Sequence, residues 1–126
     1  VLDFAELAIQ SFLKNNPDFP KSQVHKADFF EFLGTFDLII EQTLFCAIDP
    51  ELRAKYAEKS ASLLRDGGKL VGLLFNREFD GGPPFGGQKS TYMELFAPHY
   101  SQLSMEDCYN SVEPRQGSEL FIQLTK

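Results

Sequence analysis

Apolar and polar positions along this chain change period several times. Ala5, Ala8, Ile9, Phe12 and Leu13 recur at helical spacing and make one apolar stripe, which Asn15-Asn16-Pro17 stops. Val1-Leu2-Asp3, just ahead of that stripe, read as the end of a strand. Residues 22–27 are a short strand candidate ending at Asp28, and the apolar stretch 29–33 before Gly34 is a turn or short helical bend. Residues 36–41 form a continuous apolar run closed by a carboxylate, the pattern of a strand buried on both faces. Residues 42–48 have no regular period and are expected to be irregular. Asp49-Pro50-Glu51 then offers a side-chain cap, a proline at the first helical position and an acid in the first turn. The pattern predicts a helix from there to about Leu64. Leu52, Tyr56, Lys59 or Ser60, and Leu63 or Leu64 mark its inner face, and Gly67 closes it.

A second buried strand is predicted over 69–75, followed by a Gly/Pro-dense loop at 80–87. Ser90 or Thr91 is placed to cap a short helix over 92–96, with Pro98 beyond it. Strand-like alternation over 102–109 and 119–125, separated by turn residues, predicts a closing antiparallel pair. Helices alternating with buried parallel-type strands define an α/β sheet with an antiparallel edge. One domain accounts for the length, with no internal repeat.

Composition narrows the function classes. Hydrophobic residues are 43% of the chain and charged residues 24%, an ordinary globular balance. The formal net charge is −6 and the twelve basic residues are scattered singly, so no patch suits a nucleic acid backbone. No apolar run approaches the ~20 residues that cross a bilayer, so no membrane partner is expected. No basic segment followed by an apolar one marks export, and the expected location is cytoplasmic. Cys46 and Cys108 are too few and too far apart for a disulfide framework and read as free thiols. His25 and His99 are isolated, and no metal site is expected.

Candidate chemistry sits at the strand ends. In open α/β sheets, ligands bind beyond the carboxyl ends of the strands. Three strand candidates end at a carboxylate, namely Asp3, Asp28 and Glu41, the first two twenty-five positions apart. A carboxylate at one such end can accept from both ribose hydroxyls. One at the next can accept from an adenine amino group, with Phe29 covering the ring, and Glu41 then falls near the reacting end of the ligand. This is a nucleoside-binding layout; the alternative is that each Asp simply opens a turn.

The string FDLIIEQTLFCAIDPELRAKYAEKSASLLRDGGKLVGLLF, with GGPPF and YMELFAPHY after it, closely resembles the thiopurine S-methyltransferase-like superfamily. Within it the halide/thiol methyltransferase branch matches best, and the resemblance runs through nearly the whole chain. It implies a Rossmann-like class I methyltransferase sheet and S-adenosyl-L-methionine as cofactor. Asp3 matches the acidic residue at the cofactor ribose, and Asp28 and Phe29 match the pair at the adenine. Gln42 stands where the family often has Tyr or Cys at the cofactor, and Glu41 where it usually has Asp. Phe45 and the loop from Gly81 to Phe85, including Pro84, match elements of an acceptor pocket, to which Tyr92 is a further aromatic candidate.

The family's strand 1, its Gly-rich loop and its Trp-bearing N-terminal cover have no counterpart, and the chain has no Trp. The expected sheet is therefore N-terminally incomplete, with a slot between its second and fourth strands. A longer enzyme, a fragment, or a strand supplied by another copy through self-association would each explain it, the first two being preferred. The implied reaction is direct displacement at a sulfonium methyl by a small thiol or a halide- or thiocyanate-type anion. No catalytic base is assigned. A non-catalytic α/β remnant that binds nucleosides or partners is the alternative.

Overall fold

The computed structural model describes residues 1–126. The chain divides into two compact units, Val1–Gly34 and Thr35–Lys126, each described by itself.

The first unit is a strand–helix–strand turn of chain. Strand β1 (Leu2–Asp3) leads into helix α1 (Glu6–Asn15), and β2 (His25–Lys26) returns parallel to β1, with Asp3 opposite Lys26. The apolar stripe of α1 turns Ile9 inward. Phe12 reaches past the helix end to meet the edge of Phe19, 5.1 Å between ring centres. The strand expected over 22–27 is shorter than its pattern, because Lys21–Gln23 turn as a 3-10 helix before β2 begins. Residues 29–31 form turns, as expected of that apolar stretch.

The second unit is a four-stranded sheet in the order β3 (Phe36–Gln42), β4 (Leu64–Phe75), β6 (Glu119–Thr125), β5 (Gln102–Asp107). β3 and β4 run parallel, while β6 is antiparallel to both of its neighbours. The closing antiparallel pair is thus β5–β6, as its alternation predicts. The core is built on one face of this sheet. Leu70, Leu74, Met105, Leu120, Ile122 and Leu124 are each at most 2% exposed. Helices α3 (Arg53–Ser62) and α4 (Lys89–Phe96) bring Tyr56, Ala57, Ser60, Tyr92 and Phe96 into the interior. β3 is a strand as its apolar run predicts, but it is not buried on both faces: it is an edge strand of this sheet, and its outward side chains Leu38 and Ile40 are 50% and 78% exposed.

Several local expectations are corrected. Residues 44–47 are helical (α2, Leu44–Ala47) rather than irregular, for a reason that lies in Glu41. Asp49 does cap, its side chain accepting from the Glu51 amide, but the turn it opens is a 3-10 helix over Pro50–Leu52 that feeds into α3. Leu52 is consequently outside, 40% exposed. α3 ends at Ser62 and β4 starts two residues later, so Gly67 does not close the helix. It sits at positive φ (77°) in a bulge, where the β3–β4 register slips between Phe36/Leu64 and Leu38/Lys69. α4 begins at Lys89 after Gln88 and has no side-chain cap, which places Ser90 and Thr91 inside its first turn.

Gly72 sets the closeness of the two parallel strands. It lies opposite Glu41, and a Cβ there would run into the Glu41 backbone and its Cβ. Gly72→Ala is expected to cost about 1–3 kcal/mol through forced separation of β3 from β4. The check is the urea midpoint, which should fall with an unchanged slope; a midpoint equal to that of the parent chain would contradict this reading.

Candidate functional site

The carboxylates expected at strand ends divide between the two units. In the first, Asp3 ends β1 and Asp28 follows β2 by two residues, so both stand at the carboxyl edge of one parallel pair. The Ala27 amide donates to the Asp3 carbonyl at 3.1 Å, which ties the two exits together. Each Asp also closes a local turn: Asp3 Oδ1 accepts from the Ala5 amide and Asp28 Oδ1 from the Phe30 amide, both at 2.8 Å. Asp3 is partly exposed and Asp28 exposed, and Phe29 follows directly with its ring 5.5 Å from that of Phe30.

In the second unit Glu41 is placed differently from its two counterparts. It is only 4% exposed, and its side chain is turned inward. One oxygen accepts from the Phe45 amide at 2.9 Å, the other from the Tyr56 hydroxyl at 2.7 Å. The carboxylate therefore closes the first turn of α2 and pins it to α3. Thr43 takes positive φ (73°) to let the chain swing from β3 into that turn, its hydroxyl donating to the Gln42 carbonyl. Burial pushes the Glu41 carboxyl above its ordinary value, against the lowering effect of these hydrogen bonds. Gln42, by contrast, is exposed at the end of β3.

Phe45 and Tyr92, expected at an acceptor pocket, are placed in the core, each 1% exposed. Phe45 meets Tyr56 and Tyr92 edge-on at 5.2 and 5.4 Å and is tilted against Phe96 at 5.7 Å. Such pairs contribute about 0.5–1.5 kcal/mol each beyond their burial. Tyr92 spends its hydroxyl on the Phe75 carbonyl. Both rings support the site from behind.

What they support is a cleft of about 310 Å³ lined by Thr43, Cys46, Ala47, Phe75, Pro83, Pro84 and Arg115. Pro84, from the loop expected at an acceptor pocket, is one of the lining residues. Phe85 is not in the lining, but its amide donates to the Cys46 carbonyl at 2.7 Å and holds the loop against α2. The lining is apolar except for the Thr43 hydroxyl, the Cys46 thiol and one guanidinium. Arg115 lies over the Phe75 ring at 5.4 Å and bonds the buried Glu119 carboxylate at 3.2 Å. Burial and the nearby Glu41 raise the Cys46 thiol, which donates to the Thr43 carbonyl, so it is no thiolate nucleophile at neutral pH. No group of His, Cys, Asp or Glu side chains is arranged to hold a metal.

The sequence reading missed Arg53, Tyr56's hydroxyl and Arg115 as site-building groups. The hydrogen-bond partners of the first two lie fifteen or more positions away, and Arg115 comes from the turn before β6, where its i,i+4 spacing to Glu119 is the one local signal.

A parallel strand–helix–strand unit, and a mixed sheet whose parallel pair β3–β4 is followed by an antiparallel hairpin, are elements of the class I methyltransferase type of α/β fold. Solved structures agree on the fold: the N-methyltransferase NodS from Bradyrhizobium japonicum WM9, in complex with S-adenosyl-l-homocysteine, superposes with a TM-score of 0.72 over all of this chain and 65% of its own, at 15% identity. The model of the family described as Thiopurine S-methyltransferase (TPMT) matches residues 1–122. The chain belongs to that family. Among curated relatives, Thiocyanate methyltransferase 1 of Brassica oleracea and Probable thiol methyltransferase 2 of Arabidopsis thaliana are each 34% identical over 125 residues, 94% of this chain. The chain spans about half, 55%, of the length of either.

Two outcomes follow from Glu41. Its raised pKa means the fold prefers the protonated form. Its contribution to stability is therefore complete below the ordinary glutamate pKa and is lost as the pH rises through the folded value. The Tm difference between the parent chain and Glu41→Gln should shrink as the pH rises across that window; a constant or growing difference contradicts it. Tyr56→Phe removes a hydrogen bond to a buried carboxyl and should cost about 1.5–3 kcal/mol in urea unfolding; a loss within error of zero would show that the hydroxyl is dispensable.

Proposed function

We propose that this chain takes part in transferring a methyl group from S-adenosyl-L-methionine to a small thiol or a thiocyanate- or halide-type anion. When bound, the cofactor supplies a methyl group already activated on a sulfonium. Two carboxylates at neighbouring strand exits suit the donor-rich sugar and base of a nucleoside, so the residues present fit that group. In this reading Asp3 accepts from ribose hydroxyls, Asp28 accepts from the adenine amine, and Phe29 covers the ring. Gln42, exposed at the end of β3, is the candidate the resemblance offers for a cofactor contact from its own strand exit. Glu41 contributes indirectly, by shaping the turn from Gln42 to Phe45.

The observation that carries the acceptor assignment is the cleft. Its apolar walls desolvate a small nucleophile, and the guanidinium of Arg115, bonded on one side to Glu119, is the cation in its lining. A soft anion needs no proton removed, so the protein's part is orientation and exclusion of water. The names of the relatives, thiocyanate and thiol methyltransferases, support the same acceptor class. The family match runs through both compact units and supports a single functional domain. Self-association, in this reading, uses the unpaired edge of β3 with its exposed Leu38 and Ile40.

The test is transfer of labelled methyl from S-adenosylmethionine to hydrosulfide, thiocyanate and iodide, alongside calorimetric titration with S-adenosylhomocysteine. Volatile methylated product and saturable binding are expected, and Asp3→Ala should weaken that binding about tenfold, the worth of one good charged hydrogen bond. Binding without transfer would favour the nucleoside-binding alternative. Unchanged affinity in Asp3→Ala would overturn the ribose assignment.

A further inference from the structure

Arg53, at the start of α3, is held by backbone carbonyls and aromatic rings. Its guanidinium donates to two successive carbonyls of the Gly/Pro loop, Nη2 to Phe85 at 3.0 Å and Nη1 to Gly86 at 2.9 Å. The same group lies over the Phe45 ring at 4.7 Å and near the Tyr92 ring at 5.9 Å. It is thus held between the aromatic core and the loop backbone. Two further bonds close the loop around it. The Phe85 amide donates to Cys46, and the Gly87 amide to the Arg77 carbonyl in an isolated antiparallel bridge. The chain between these anchors carries Pro83 and Pro84, which wall the cleft.

We propose that Arg53 is a positioning residue for acceptor selection: by clamping the Phe85 and Gly86 carbonyls it fixes how far the Pro83–Pro84 wall stands from Thr43 and Cys46. The proposal rests on the reading of the cleft as the acceptor's place. The chemistry requires arginine. A planar fork can meet two adjacent carbonyls and stack on a ring at once, whereas an ammonium is a single point donor. Arg115 is the cation in the lining itself, while Arg53 reaches the Cys46 thiol only through its field and touches the loop directly. The wall's stiffness then limits the acceptor to a small anion.

The experiment uses the 126-residue chain with Arg53→Lys and Arg53→Gln. Amide hydrogen exchange at Phe85 and Gly87 should speed up about tenfold or more in both variants, the equivalent of losing a charge-assisted bond. Amides of β4 and β6, such as Leu70 and Ile122, should keep their protection, which shows the fold intact. Titration with thiocyanate, followed by chemical shifts of Thr43 and Cys46, should give a several-fold weaker affinity in both variants, Lys included despite its retained charge.

Unchanged Phe85 exchange in Arg53→Gln overturns the positioning role, whatever the chain's activity. Full thiocyanate affinity in Arg53→Lys, with the loop loosened, overturns the link to selection. A parent chain whose Thr43 and Cys46 ignore thiocyanate overturns the acceptor reading of the cleft and that link with it, while the exchange result still decides whether Arg53 holds the loop.

Discussion

A buried carboxylate at the end of β3 organises the second unit. Ionised and unpaired it would cost several kcal/mol of lost hydration. It is retained because both of its oxygens are used, one on the Phe45 amide and one on the Tyr56 hydroxyl. Three elements meet there: the strand that carries Glu41, the one-turn helix it caps, and the long helix that supplies Tyr56. Removing the carboxylate would leave a four-residue helix with little of its own to hold it, since isolated turns of that length do not pay for their nucleation. The turn it holds presents Thr43, Cys46 and Ala47 to the cleft, so the cleft's floor depends on Glu41 although Glu41 does not line it.

The charged groups around the cleft share a division of labour. Glu41 and Arg53 are spent on architecture, the first on a hydroxyl and an amide, the second on two carbonyls and two ring faces. Arg115 is the cation left at the lining, partly offset by Glu119. The aromatic cluster of Phe45, Tyr56, Tyr92 and Phe96 is the rigid backing on which these polar clamps are mounted. A wall built this way keeps its position because the Glu41 clamp is buried and the Arg53 clamp is part-buried between carbonyls and rings.

Much of this could be read from residue order, and what could not has a physical cause. β3 and the body of β4 were legible because continuous apolar runs of strand length have few other uses, and β5–β6 because strict alternation demands one wet face. α2 was not legible: its four residues have no helical period to show, and it exists because a side chain from the preceding strand caps it. Gly67 looked like a helix terminator because positive φ serves a bulge as well as a helix end. Phe45 is a pocket candidate by family resemblance and Tyr92 as a further aromatic, yet an aromatic beside a cleft can as well face the core, and both are buried there. Asp3 and Asp28 were placed on one edge by the expectation of parallel strands, and β1–β2 are parallel. Arg53 was silent because its partners lie over thirty positions away.

The most direct test is an NMR titration of the Glu41 carboxyl carbon, followed together with the Phe45 amide. Burial against a cap predicts a midpoint above the ordinary glutamate range, with the Phe45 amide moving at the same midpoint. A Glu41 that titrates at its ordinary value, beside a Phe45 amide that does not respond, would mean that the turn forming the cleft's floor is held by something else.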